Sequence, residues 1–245
     1  MKPASRRRPL AGPWVWWAGL LAALIGFGHW PVTTRVGIDY QWSERRIPLY
    51  EKAVNFLSRD LQTRRLVREL TAGASGEEEK LLQMFSWVTA AIRPVPEGFP
   101  VVDDHIFHIM VRGYGAEDQR TEVFATLAGY AGFRASVARL QAPSGASEGF
   151  VFVALVQGRA NTYVFDINNR IVFKDEHGRL ADVEQLLRHP QLVIDAAQGL
   201  AIRGTPYQHY LRGLDRAKVF SRTPAQQLWP RMKQELQQLL GARRG

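Results

Sequence analysis

The chain has 245 residues, 46% of them hydrophobic, enough to bury one substantial core. It contains no cysteine, which excludes disulfides, thiol catalysis and cysteine-ligated zinc together. The formal net charge is +9, of which Lys2, Arg6, Arg7 and Arg8 supply four, and the rest is dispersed. No Lys/Arg cluster is interleaved with aromatics, so no nucleic-acid interface is expected.

Residues 1–9 read as a basic tail. Residues 10–32 hold no Asp, Glu, Lys or Arg, long enough for the about 20 residues that cross a hydrocarbon core. Trp14, Trp16, Trp17 and Trp30 sit near the two ends of this segment, where amphipathic rings prefer the interface. The Arg6–Arg8 cluster predicts a cytoplasmic tail and an extracytoplasmic main domain. The segment is therefore expected to be a single transmembrane anchor, in a bacterial inner membrane with the domain periplasmic or extracellular. A cleaved signal peptide with Gly26 and Gly28 at its end, or a buried helix, are the alternatives. Residues 33–47 are expected to form an extended linker. Pro48 then opens a helix to about Leu70, and Thr71 to Gly76 breaks it before a second helix over Glu77–Arg93, with Leu81, Phe85, Val88 and Ile92 on one stripe.

Pro94, Pro96, Gly98 and Pro100 form a rigid loop before Asp103, Asp104, His105 and His108. The two imidazoles are expected to share a helix face at i, i+3. Such a set could hold zinc or manganese, but no metalloprotease-type signature accompanies it, so capping and packing are expected and no metal or other cofactor. Gly113, Tyr114 and Gly115 make a tight turn into a helix with Val123, Leu127, Ala128 and Ala131 on its apolar face. The helix stops at Gly132, and a β-rich run, Arg134–Leu140, follows. Phe150 to Asp166 reads as a hairpin turning at Gly158 and Arg159. Further on come a turn at Asn168 and Asn169, a short strand over Ile171–Lys174 and a turn at Glu176–Gly178. Asp182–Leu187 and Ile194–Ile202 are short helical or mixed segments. Pro230 suits the first turn of a last helix bearing Met232, Leu236, Leu239 and Leu240.

The stretch Arg112–Leu140, together with the Glu77–Arg93 helix and the Phe150–Asp166 hairpin, resembles the transglutaminase-like superfamily in motif type and order. That resemblance implies an α+β, papain-like fold. A helical N-terminal part would pack on a small antiparallel sheet over residues 48–216, followed by a C-terminal helical extension over 217–245. Glu117 stands where the family keeps its catalytic cysteine. The family histidine falls on Gly149 or Phe150, depending on hairpin register, and Asp166 matches the family aspartate, although Ile167 replaces the proline that follows it. Asp118, Gln119 and Arg120 resemble the Asp-Gln-Arg that the family places after its cysteine, which implies a persisting cleft.

A thiol at a helix N-terminus ionises easily, and histidine oriented by aspartate manages its proton. Glu117 enjoys the same field but would have to form an anhydride to transfer an acyl group, with neither Gly149 nor Phe150 able to act as base. No catalytic residue is therefore expected at these vestigial triad positions, and acyl transfer by the family mechanism is not expected. Arg112, Tyr114, Glu117, Asp118, Gln119 and Asp166 become candidate ligand-binding residues, with Arg112 expected to pair with one of the carboxylates. The function expected is a membrane-anchored pseudoenzyme or scaffold for a peptide, glycan or envelope protein. Family habit points to envelope or exopolysaccharide machinery. The alternative is a glycan hydrolase using a Glu117/Asp166 carboxylate pair across an open groove.

Overall fold

The computed structural model describes residues 13–39, 41–103, 105–142, 149–214, 217–220, 226–227, 229–233 and 237. The first element, α1 (Pro13–Gly28), has 16 residues. That is ~24 Å at 1.5 Å per residue, against the ~30 Å of a hydrocarbon core. Among the described residues no helix is long and apolar enough to cross a membrane. Of the segment expected as an anchor over 10–32, residues 10–12 lie outside the described ones, 13–28 form α1, and Pro31 and Val32 belong to a strand. Pro31 cannot donate to a helix ladder, and the β-branched run Val32-Thr33-Thr34 favours extended backbone.

Strands β1 (Pro31–Ile38) and β2 (Gln41–Pro48) pair antiparallel, with Thr33 opposite Arg46 and Gly37 opposite Trp42. Residues 33–47 are therefore extended as expected, but they form a ladder instead of a free linker. Pro48 then caps α2 (Leu49–Leu70). Helix α3 (Glu77–Ala91) starts with three glutamates, Glu77, Glu78 and Glu79, which match the positive end of its dipole. The strands β3 (Arg93–Pro94) and β4 (Val102–Asp103) follow, the latter pairing with β1. Helix α4 (Ile106–Arg112) is capped by His105, whose Nδ1 accepts from the Phe107 amide at 3.1 Å, and it ends at Gly113 in the left-handed region (φ 73°). Strand β5 (Tyr114–Gly115) runs parallel to β3 and leads into α5 (Glu117–Tyr130).

The next strands are β6 (Arg134–Gln141), β7 (Phe150–Gln157), β8 (Thr162–Asp166) and β9 (Ile171–Val172), all antiparallel. Helices α6 (Val183–Arg188) and α7 (Pro190–Ala197), the hairpin of β10 (Ala201–Ile202) and β11 (Thr205–Pro206), and α8 (Tyr207–Leu211) come next. Asp182 and Gln185 cap α6 reciprocally. Finally β12 (Lys218–Phe220) joins β6, so the main sheet has the order β12-β6-β7-β8-β9. The extension expected from 217 onward thus begins as an edge strand. The leucines of the expected last helix lie outside the described residues, apart from the turn at Trp229–Lys233.

The sheet is covered on both faces. Alternation along β7 and β8 sends Ala154, Val156, Tyr163 and Phe165 toward α2–α5. Val151, Val153 and Val164 face α6–α8 instead, where Leu186, Val193, Tyr207 and Tyr210 pack. Because α5 is enclosed by α2, α3, α4 and the sheet, the one-stripe expectation is too narrow. Phe124, Ala125 and Thr126 are as fully buried as Val123, Leu127 and Ala128. The chain is α+β, with its long helices ahead of an antiparallel sheet.

Candidate functional site

The mouth of α5 is built by local chemistry. Gly113 turns the chain back, the β3–β5 pair sets Pro94 beside Gly115, and a Cβ on Gly115 would come within 3.1 Å of Ile109 and 3.3 Å of the Gln119 amide oxygen. Gln119, at the third position of α5, accepts from the Ala116 amide at 3.1 Å and from Arg112 Nη2 at 3.1 Å, and donates to the Val102 carbonyl at 2.7 Å. Arg112 also donates to the carbonyls of Tyr114 (2.9 Å) and Val102 (3.2 Å). The ion pair expected for Arg112 is replaced by these bonds, because the turn leaves carbonyls, not a carboxylate, within reach of its guanidinium. Tyr114 lies under that guanidinium and against the edge of Phe99. Arg112, Tyr114 and Gln119 therefore buttress the mouth from behind, and Asp118 sits beside them in the first turn.

In front of the mouth is a groove of about 430 Å³. Glu117 and Arg120 line it from α5, with Pro94, Val95 and Val101 on one rim, Phe150, Val151 and Phe152 from β7, and Asn168, Asn169 and Ile202 closing the far side. Glu117 is exposed at the first position of the helix. Partial desolvation raises its carboxyl above the usual range and Asp166 adds to the rise, while Arg120 and Arg203 oppose it. Arg120 is 3% exposed and donates to the Ile92 carbonyl at 3.0 Å and to Asn168 Oδ1 at 3.1 Å. The Asn168 amide in turn donates to the Glu117 carbonyl (3.1 Å) and to Thr121 Oγ1 (3.2 Å), tying the post-β8 turn to the first turn of α5.

Gly149 and Phe150 face different surroundings. A Cβ on Gly149 would collide with the hydroxyl of the buried Tyr210, so this residue points into the α8 layer. Phe150 instead lines the groove, with the Arg139 guanidinium 4.1 Å from its ring centroid and Phe152 at 5.3 Å edge-on. Phe152 meets Phe220 of the edge strand at 6.2 Å. This side of the groove is an aromatic wall held by a cation and by neighbouring rings.

Asp166 lies elsewhere. It follows Phe165 by one residue, so its side chain belongs to the opposite face of the sheet. It is completely buried and accepts from the Asn169 amide (2.9 Å), Asn169 Nδ2 (2.8 Å) and the Tyr207 hydroxyl (2.7 Å). Burial raises its carboxyl and these donors counter the rise; burial and Asp166 together push the Tyr207 phenol well above 10. Asp166 does not line the groove, so Glu117 and Asp166 do not face one another across it as a paired acid and base would. His105 precedes α4 and does not share a helical face with His108. Its Nε2 meets the Gln226 carbonyl at 3.2 Å, and burial with Arg59 nearby lowers its pKa to about 4. Asp104 lies outside the described residues, and no metal-binding cluster occurs among those described.

Sequence reasoning missed Tyr207 and Phe152, and took Asn168 for a plain turn residue. A polar pair directly after the aspartate was the available signal for Asn168 and Asn169. Nothing local announces Tyr207, which is 41 residues from its partner.

No family profile and no curated protein matches this chain. Among solved structures it is similar to a "putative cysteine protease" from Cytophaga hutchinsonii, at 14% identity and a TM-score of 0.39, over 55% of this chain and 48% of that one. It is also similar to a "putative protease" from Parabacteroides distasonis ATCC 8503, at 12% identity and a TM-score of 0.35, over 56% of this chain and 36% of that one. The chain spans about half or less of the length of each.

Proposed function

We propose that this chain is a degenerate transglutaminase-like domain, held at the extracytoplasmic face of a bacterial inner membrane by α1. It binds a peptide, glycan or envelope partner in the groove at the mouth of α5 without acyl-transfer chemistry. One observation carries the reading: the groove presents a carboxylate, Glu117, at the position of the nucleophile and an aromatic ring, Phe150, at that of the base. Neither a thiol nor an imidazole can be supplied there, since the chain has no cysteine and no described histidine lines the groove. What remains suits binding. The rigid pair Phe150 and Phe152 offers a flat apolar surface in the groove, of the kind that grips sugar rings or extended peptide. The wholly apolar α1, with Trp14 72% and Phe27 63% exposed, is the natural membrane contact. Exopolysaccharide or other envelope machinery is the setting in which we would look for the partner.

The test uses the detergent-solubilised full chain against panels of glutamine-containing peptides and short neutral oligosaccharides. Phe152→Ala should weaken whatever binding is found by about tenfold, as loss of an aromatic anchor does, and Glu117→Gln should leave it intact. Turnover of any panel member that disappears in Glu117→Gln would overturn the proposal.

A further inference from the structure

Helix α2 buries one side against the domain and leaves an apolar line on the other. Asp60, Thr63 and Val67 are buried, whereas Tyr50, Val54, Leu57 and Leu61 are each about half exposed or more. These four recur at i, i+4, i+7 and i+11, so they lie along one line of the helix, and Arg64 and Arg68 continue that line at i+14 and i+18. Arg65 flanks it. Lys52, Arg59, Arg64, Arg65 and Arg68 outnumber Glu51, Asp60 and Glu69 on this helix. Arg64 pairs with the buried Asp60, and Arg65 pairs with Glu69 at the surface. The exposed Arg65–Glu69 pair is weak and yields readily to a stronger anion.

The start of this line is fixed to the end of α1. The Leu49 amide donates to the Trp30 carbonyl at 2.9 Å, and the His29 and Tyr50 rings lie 5.1 Å apart. Tyr50 is therefore held at the level where the apolar helix stops, next to Trp30, itself 64% exposed. Tyrosine and tryptophan at this level are the side chains that settle at a membrane–water interface.

We infer that the outer face of α2 lies on the surface of an anionic phospholipid bilayer. Its apolar line enters the interface, and Arg64, Arg65 and Arg68 meet the phosphates. This inference rests on the reading of α1 as the membrane-inserted helix. The spacing would also suit a second copy of the chain, but four half-exposed side chains offer only on the order of 300–400 Å², against the about 800 Å² per partner that a stable dimer covers. A face already tethered to the bilayer needs no such area, since α1 holds it at high local concentration, and basic residues beside an apolar line add attraction to acidic lipids.

Because the chain has no cysteine, a single introduced one is a unique labelling site. Full-length Leu57→Cys, carrying an environment-sensitive fluorophore, is reconstituted into phosphatidylcholine vesicles containing phosphatidylglycerol. Leu21→Cys in α1 and Gln191→Cys on the exposed side of α7 are treated alike. A lipid spin-labelled near its headgroup should quench the Leu57 site about threefold or more over the Gln191 site, with a blue-shifted emission. Arg64, Arg65 and Arg68 changed together to Gln should reduce that quenching. A Leu57 site that stays water-like, or that is shielded from aqueous and lipid quenchers alike as a second copy would shield it, overturns the inference. A lipid spin-labelled deep in its chain reports separately on Leu21. Quenching there with none at Leu57 leaves the anchor standing and sinks only the inference, while quenching at Leu57 with none at Leu21 sinks only the anchor.

Discussion

Tyr207→Phe removes a single oxygen from a place without solvent. Tyr207 and Asp166 are both 0% exposed, and the hydroxyl donates to Asp166 beside the Asn169 and Asn168 donors. A hydrogen bond to a charged group is worth about 1.5–3 kcal/mol net. The ring, stacked on Phe173 at 6.5 Å, keeps its packing, so no cavity larger than that oxygen adds to the loss. The expected cost is about 2 kcal/mol, or a fall in Tm of roughly 4–8 °C for a domain of this size. The cost should depend on pH. Burial raises the folded-state carboxyl of Asp166 above its unfolded value, so its ionisation opposes folding, and stability falls as pH rises from the unfolded to the folded value. The Tyr207 bond counters that rise, and losing it pushes the carboxyl higher still. The deficit of the variant is therefore smallest below both folded values, where Asp166 is protonated with or without the hydroxyl, and largest above them. Urea unfolding of the detergent-solubilised chain, followed by circular dichroism at acidic and at mildly alkaline pH, measures both quantities. A deficit below about 0.5 kcal/mol, or one that is the same at both pH values, would refute a buried bond to an ionised Asp166.

Gln119→Ala strands the Ala116 amide and takes a partner from both Arg112 and the Val102 carbonyl, so thermal melting should show a loss of about 2–4 kcal/mol. Glu117→Gln should melt at or above the parent at mildly alkaline pH, the gap closing as pH falls below the raised folded value of the Glu117 carboxyl; a clear drop would mean that the charge acts as a helix cap. Gly149→Ala forces Tyr210 to move within a filled core, and chemical unfolding should register about 1–3 kcal/mol of destabilisation.

What was legible in the sequence was local. The Gly113–Gly115 turn, the helix it feeds, the strand after it and the Phe150–Asp166 hairpin carry their signals within a few residues, and each stands where its periodicity put it. What escaped was pairing between distant segments. Residues 33–47 carry extended character but nothing that names a partner, and β12 reaches β6 across some 80 positions, Phe220 opposite Val137. Arg112 misled because a guanidinium beside acidic residues invites an ion pair, whereas the turn places three acceptors that are not carboxylates nearer. The side on which Asp166 lies could have been read: alternation with Phe165, a plain core residue, already sets the two on opposite faces.

That placement makes Asp166 a structural residue in its own right. In a triad its carboxylate would need an imidazole to orient. Here Asn169 supplies two donors, the Asn168 backbone amide another and the Tyr207 hydroxyl a fourth, so the carboxylate closes the end of β8 and anchors α8 without an imidazole. Glu117 keeps its place at the first position of α5 although partial desolvation raises its carboxyl. Phe150 is fixed between Arg139 and Phe152 on the β7 side of the groove. The mouth of α5 and the end of β8 are thus each held by hydrogen bonds of their own, through Gln119 and Arg112 at the first and Asn169 and Tyr207 at the second.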